Sequence, residues 1–276
     1  MDLISNYLTI DVEDYFQVSA FEDIVSTNDW ETMEHRVSRN TETLLSLLAD
    51  HDTCATFFVV GWVAERYPQM VKNIHAQGHT IGCHSYWHRK VYDLTPEEFR
   101  SDTRRAKTIL EDIIGQPVVG YRAPSYSVTT KSLWALDILR ELGFTYDSSI
   151  FPIYHDTYGI PQAPRFAYRH ANGLLEYPLS TAQLMGYKIP VSGGGYFRLF
   201  PYWFTRAALK SINRGDGKPF VFYVHPWEID PGQPRMRNAT ILSSFRHYNQ
   251  LKQTKNRLKR LLNDFSFIPL PSEQIL

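Results

Sequence analysis

A chain of 276 residues, 43% hydrophobic and 14% aromatic, can bury a large core and belongs with globular proteins, which excludes a disordered segment. Its 29 lysines and arginines balance its 29 aspartates and glutamates, so no net charge draws nucleic acid or an anionic membrane over the whole surface; an uncharged, sugar-like substrate suits it better. The most apolar stretch, residues 53–64, falls well short of the roughly 20 residues that span a bilayer, and no membrane helix is expected. The opening MDLISNYLTIDVEDYF shows no basic leader with an apolar block behind it, so no secretory signal is read. Cys54 and Cys83 are the only cysteines, neither needed for a disulfide framework, and the chain reads as reduced and cytoplasmic. The sequon Asn238-Ala239-Thr240 then carries no weight.

Residues 7–10, YLTI, predict a buried first strand that runs straight into Asp11, Glu13 and Asp14. Asn40 precedes a helix with Leu44, Leu45, Leu47 and Leu48 on one face, and residues 54–60, CATFFVV, predict the second strand. One helix is expected over 62–77, with Val63, Tyr67, Met70, Val71 and Ile74 at helical spacing and Gly78 as its stop, followed by the strand HTIGC. Thr95-Pro96-Glu97-Glu98 supplies a capping residue, a proline at the first helical position and a glutamate at the third; that helix runs to Gly115. Strand four, 117–121, empties into Arg122-Ala123-Pro124-Ser125. A helix over 131–142 ends at Gly143, and a brief strand at 144–146 leads into Asp147. Residues 148–201, rich in proline and holding the run Gly193-Gly194-Gly195, read as loops and hairpin-like strands laid over one end of the fold. A helix over 202–213, an apolar strand over 220–224 ending at His225, and a last helix over 239–264 complete the chain. Strands alternating with helices predict an α/β fold with a parallel sheet, and with no linker or repeat the expectation is one domain over 1–276. The basic run from Lys252 to Arg260 is assigned no function.

The chemistry gathers at strand ends. His84 and His88 lie four apart, and four residues of strand would separate them by roughly 13 Å, whereas one helical turn brings such positions to roughly 5–6 Å. If both are to hold one metal, the strand must end near Cys83 and the chain must coil at once. Asp11, His84, Arg122, Asp147 and His225 each follow a different predicted strand, and in α/β sheets and barrels the strand C-termini form the active-site face. Two imidazoles and one carboxylate leave a fourth position for water on a divalent ion, as catalytic zinc sites do. A second carboxylate can serve as base, and the cluster DVED holds candidates for both jobs. Amide hydrolysis also needs an acid for the departing nitrogen, which His225 can supply.

The ordered set TIDVED, HSYWH, RAPS, YDSS and YVH resembles the five motifs of the NodB-homology polysaccharide deacetylases, carbohydrate esterase family 4, which remove N-linked acetyl groups from N-acetyl sugars. The opening TIDVEDYFQV and the tail HPWEIDPGQPR resemble the subgroup encoded with exopolysaccharide and exosortase systems. The resemblance implies a distorted (β/α)7-type barrel with loop and hairpin insertions over its mouth. It implies Asp11 as catalytic base, His84 and His88 as metal ligands and His225 as general acid. Arg122 matches the arginine that orients the base, Asp147 the acidic partner of the acid histidine or of that arginine, and the backbone N–H of Ser125 part of the oxyanion hole. The family commonly has two adjacent aspartates where this chain has Asp11-Val12-Glu13-Asp14. A spaced pair points to Glu13 as the carboxylate ligand, and the preference for a short ligand points to Asp14, which is favoured here. One divalent ion is expected, zinc first, with cobalt, nickel or iron(II) as alternatives. Aromatic residues of the insertions, Tyr154, Tyr158, Tyr168, Tyr177, Tyr196 and Phe197, with Trp227, suit stacking on a sugar. The competing readings are hydrolysis of a small linear or cyclic amide on the same barrel, and a non-catalytic carbohydrate-binding protein.

Overall fold

The computed structural model describes residues 4–272. Strand β1 (Ser5–Val12) is its axis, with parallel neighbours on both sides. Because successive strand residues face opposite ways, Leu8, Ile10 and Val12 enter the core beneath the helices, while Thr9 and Asp11 turn to the other face. After β1 come α1 (Val37–Ala49), β2 (Thr56–Val59), α2 (Gly61–Arg66), α3 (Pro68–Ala76), β3 (Thr80–Cys83), α4 (Pro96–Ile114), β4 (Gly120–Tyr121), α5 (Trp134–Glu141) and β5 (Tyr146–Asp147). The five strands lie side by side in chain order, all parallel, so each C-terminal end opens on the same edge.

Local chemistry accounts for the boundaries. The Thr95 hydroxyl accepts the Glu98 N–H while the Glu98 carboxylate accepts the Thr95 N–H, and Gly115 ends α4 in the left-handed region at φ 67°. The single helix expected over 62–77 is two. Tyr67 breaks it at φ −123°, ψ 53°, ahead of Pro68, whose missing N–H and ring bar it from a helix interior but suit the first position of α3.

Residues 148–201 contain β6 (Tyr168–Arg169), β7 (Leu175–Glu176), the hairpin β8 (Thr181–Leu184) and β9 (Tyr187–Pro190), and a short helix α6 (Gly194–Leu199) where loops and strands without a helix were expected. Strand β7 extends the sheet parallel to β5, and β6 runs antiparallel at its edge. Then follow α7 (Tyr202–Ser211), β10 (Val221–Val224), α8 (Ile241–Tyr248), α9 (Leu251–Asp264) and β11 (Ser266–Ile268). The helix expected over 239–264 also divides, at Gln250 with φ 57°, and β11 is a further strand paired with the start of β1.

The sheet order is β10-β1-β2-β3-β4-β5-β7-β6, with β11 also on β1. It curls until the segment after β7 returns to β10: Val221 N–H donates to Ser180 Oγ at 2.7 Å, and Tyr223 N–H to the Ser192 carbonyl at 2.7 Å. Gly193 completes that contact at φ 130°; a Cβ there would sit 1.9 Å from the Tyr223 carbonyl oxygen. The result is a mixed half-barrel with flanking helices. Its interior is filled by Phe58, Tyr146, Leu175, Tyr177 and Tyr223, and a larger core lies between the outer strand face and the helices. Among the described residues no helix is long and apolar enough to cross a membrane.

Candidate active site

Three carboxylates leave the end of β1 in different directions. Asp11 faces the barrel interior, where its Oδ1 accepts Arg122 Nη1 at 2.7 Å and its Oδ2 accepts the Tyr126 hydroxyl at 3.2 Å. Glu13, two residues on, turns to the same side and meets His88, Nε2 to Oε2 at 2.5 Å. Asp14 turns the other way. Its Oδ2 accepts the backbone N–H groups of Arg36 (2.7 Å) and Val37 (2.9 Å), and its Oδ1 accepts that of Tyr15 (2.9 Å). Asp14 therefore satisfies orphan donors at the start of α1, and the expectation that favoured it over Glu13 beside the histidines is corrected.

The histidines converge because the chain coils as β3 ends, though not as a regular helix. Ser85 and His88 are left-handed at φ 59° and 53°. Asp102 on α4 accepts the N–H groups of Tyr86 (2.7 Å) and Trp87 (3.1 Å), and Ser85 Oγ accepts that of His88 (3.0 Å). The two rings stand 5.0 Å apart. Ligand atoms of Glu13, His84 and His88 all lie within 4.8 Å of one another, each residue buried, and this trio can coordinate a divalent cation. His84 Nδ1 is 2.7 Å from the Arg122 carbonyl, an acceptor only, so Nδ1 carries the proton and Nε2 keeps its lone pair for the cation. Burial brings His84 down to about 4, which keeps the ring neutral. Burial works against charge on Glu13, but His88, His225 and His84 outweigh it and hold the carboxyl below the ordinary range.

Arg122 is fully buried and ties the interior together. Besides Asp11 it donates to Thr9 Oγ1 (2.7 Å), the Ser148 carbonyl (3.0 Å) and Ser148 Oγ (2.7 Å), with its guanidinium 4.4 Å from the Phe58 ring centre. Ser125 lines the cleft at φ 52°, its hydroxyl against that of Ser19. Asp147 is near neither His225 nor Arg122 by hydrogen bond. It accepts Ser149 Oγ at 2.5 Å, and that hydroxyl in turn accepts the Ala123 N–H at 2.8 Å, so Asp147 steadies the Arg122 loop from beneath. Burial first, and then Glu176 beside it, raise Asp147 well above the carboxylate range; burial takes Glu176 up to about 7.

The carboxylate that holds His225 is Glu228. Its Oε2 accepts His225 Nδ1 at 3.0 Å and the His225 backbone N–H at 2.9 Å. On its other oxygen Arg198 Nε donates at 2.7 Å; Arg198 Nη1 reaches the carbonyls of His247 and Asn249, the carbonyls freed where α8 gives way to α9. His225 Nε2 is left facing Glu13 Oε1 at 3.6 Å and Asp11 Oδ2 at 3.9 Å. Burial pushes this imidazole down, but Glu13, Glu228 and Asp11 carry it up to about 9. Trp227, expected against substrate, is 4% exposed; its indole N–H donates to Glu13 Oε1 at 3.1 Å, and its ring stacks on His225 and His247. Of the expected aromatic shelf, Tyr177 and Phe197 are core residues and Tyr158 lines the cleft. Asp11, Glu13, His84, His88, Ser125, His225 and Trp227 open together on a cleft of about 200 Å³.

Residues 20–146 match the family model for polysaccharide deacetylases, and residues 148–272 match that of a domain of unknown function, DUF3473. Over the first match, a little under half of its length, the chain is similar to the polysaccharide deacetylase family. It is 33% identical over 98 residues to a peptidoglycan-N-acetylglucosamine deacetylase of Bacillus cereus, covering 35% of this chain and 36% of the relative. It is 31% identical over 104 residues to a chitooligosaccharide deacetylase of Azorhizobium caulinodans, covering 37% and 48%. The chain thus spans between a third and a half of these relatives. In fold it is similar to a Mycobacterium smegmatis protein provisionally assigned as a polysaccharide deacetylase, at TM-score 0.56 and 19% identity over the whole of both chains. It is also similar to a carbohydrate esterase family 4 pseudoenzyme from Bacillus anthracis, at TM-score 0.51 and 14% identity over 98% of this chain and 64% of the other.

Proposed function

We propose that the protein is a metal-dependent hydrolase that removes N-acetyl groups from N-acetylated sugars of a bacterial polysaccharide or its precursor, with zinc as the first choice of ion. The observation that carries this reading is the arrangement in one cleft of a base held by an arginine (Asp11, Arg122), a three-residue cation site (Glu13, His84, His88) and an acid held by a carboxylate (His225, Glu228). A divalent cation held by Glu13, His84 and His88 would supply Lewis-acid chemistry to the hydrolysis. Asp11 takes the water's proton on Oδ2, because Oδ1 is engaged by Arg122. Arg122 fixes that carboxylate in place through the 2.7 Å bond to Oδ1. The Ser125 backbone N–H is assigned to the oxyanion formed on the acyl carbon. His225 Nε2–H, charged at neutral pH, gives its proton to the sugar nitrogen as the C–N bond breaks, so acetate and a free amine leave. Glu228 holds the ring through Nδ1, leaving Nε2 toward the cleft.

The test is acetate release from N-acetylglucosamine oligosaccharides by purified, metal-loaded protein, alongside Asp11→Asn. Acetate from the native protein and none from the variant supports the reading. Oligosaccharide binding without any acetate, with the metal retained, favours a carbohydrate-binding protein instead.

A further inference from the structure

Helix α8 leaves an apolar face in solvent. Ile241 is 92% exposed, Leu242 57% and Phe245 54%, and at positions i, i+1 and i+4 they share one side of the helix. The opposite side is packed: the His247 ring stands 4.7 Å from that of Phe21. Single exposed apolar residues are ordinary, but three together on one short helix call for a partner. Their surroundings are cationic. Arg235 and Arg237 lie on the approach to the helix and Arg246 follows Phe245, all three exposed. The chain has no aspartate or glutamate between Asp230 and Asp264, although it carries eight lysines and arginines there. Lys255 and Lys259 belong to another surface, shared with Glu42 and Asp50. Arg246 lies 3.8 Å from Asp156, an exposed acid. A chain with no net charge thus gathers positive charge around an exposed apolar helix face. Arg246 and His247 on the same helix line the cleft, so the patch is continuous with its rim.

We propose that α8 seats the mouth of the cleft on an anionic lipid surface, with Ile241, Leu242 and Phe245 entering the headgroup boundary and Arg235, Arg237 and Arg246 meeting lipid phosphates. Charge decides against a second copy as the occupant, because two such faces would bring arginine against arginine. The helix is short and its anchors few, so binding is weak, reversible and loosened by salt. Resting on the deacetylase reading, the consequence is that the acetylated sugar is presented at the membrane, as a glycan carried on lipid.

The experiment is flotation of the whole protein with vesicles of phosphatidylcholine alone and of phosphatidylcholine with phosphatidylglycerol, at low and at high salt. The native protein is expected to float with the anionic vesicles only, and less at high salt. The double variant Ile241→Asp/Phe245→Asp is expected to bind at least about ten-fold more weakly, and Arg235→Glu/Arg237→Glu to lose binding as well, both with unchanged thermal unfolding. Failure of the native protein to float, equal flotation of the apolar-face variant, or a native dimer that the same variant dissolves would each overturn the proposal. Because flotation reads binding without turnover, its failure is distinguishable from failure of the deacetylase reading, which acetate release from a water-soluble oligosaccharide measures separately.

Discussion

One carboxylate oxygen, Oε2 of Glu228, holds His225 twice, by its ring Nδ1 at 3.0 Å and by its backbone N–H at 2.9 Å. The imidazole is thereby fixed in tautomer and in direction by a group three residues along the chain, at the cost of burying Glu228 against Arg198.

An acid matters only where the leaving group needs a proton. His225→Ala and Glu228→Gln are therefore expected to lower turnover of an N-acetyl sugar by about 10²-fold or more, and that of an activated aryl acetate far less. Equal losses on both substrates would move the acid role elsewhere. Glu228→Gln should also lower unfolding stability by about 3–5 kcal/mol, because Arg198 then carries an uncompensated buried charge. Urea titration measures it.

Metal content separates Glu13 from Asp14. Glu13→Ala, His84→Ala and His88→Ala should each lose most of the bound ion after dialysis, since two remaining ligands bind weakly. Asp14→Ala should keep it and instead lose about 1–2 kcal/mol of stability, the usual cost of a helix cap. A metal-free Asp14→Ala protein with normal stability would reverse the assignment.

Asp11→Asn retains an oxygen for Arg122, so the fold and the metal should survive. Activity should fall by about 10²- to 10⁴-fold, the range of a lost general base. Retention of more than a tenth of native activity, with the ion bound, would exclude Asp11 as the base.

The Asp147–Glu176 pair predicts a slope of stability with pH. Burial raises both carboxyls, Glu176 to about 7, whereas unfolded carboxylates titrate near about 4. Between those values the native state holds more protons than the unfolded state, so stability from this pair is complete below the window and is lost as pH rises through it, by at most about 1.4 kcal/mol per unit for one proton. Glu176→Gln should remove that component, and denaturant midpoints measured from about pH 4 to about pH 8 should fall less steeply than in the native protein. Parallel slopes would refute the raised Glu176 carboxyl.

Much of this site is written in strand periodicity. YLTIDVED places Ile10 and Val12 on one face and Asp11 on the other, and alternation carried one step past Val12 puts Glu13 with Asp11 and Asp14 against the helices. The preference for a shorter ligand competes with that geometry and loses to it. Pro68 likewise marks the break between α2 and α3. Glu228 is legible as the third residue of a turn opened by His225-Pro226, the spacing of a capping box. Arg198 and Asp102 are not. Their partners lie far along the chain, and what brings them together is packing of α6 against α9 and of α4 under the loop after β3, which no local pattern encodes.

The pairing of β1 has a consequence for biosynthesis. Tyr7 meets Val221 on the edge away from β2, so once made β1 waits for β10, far along the chain, before that edge is covered. Through that interval an apolar, β-branched edge is open to strands of other nascent chains. The hazard is greatest where synthesis is fast and polysomes are crowded. Slower translation or a chaperone bound to the emerging strand should raise the yield of native protein without altering its final stability.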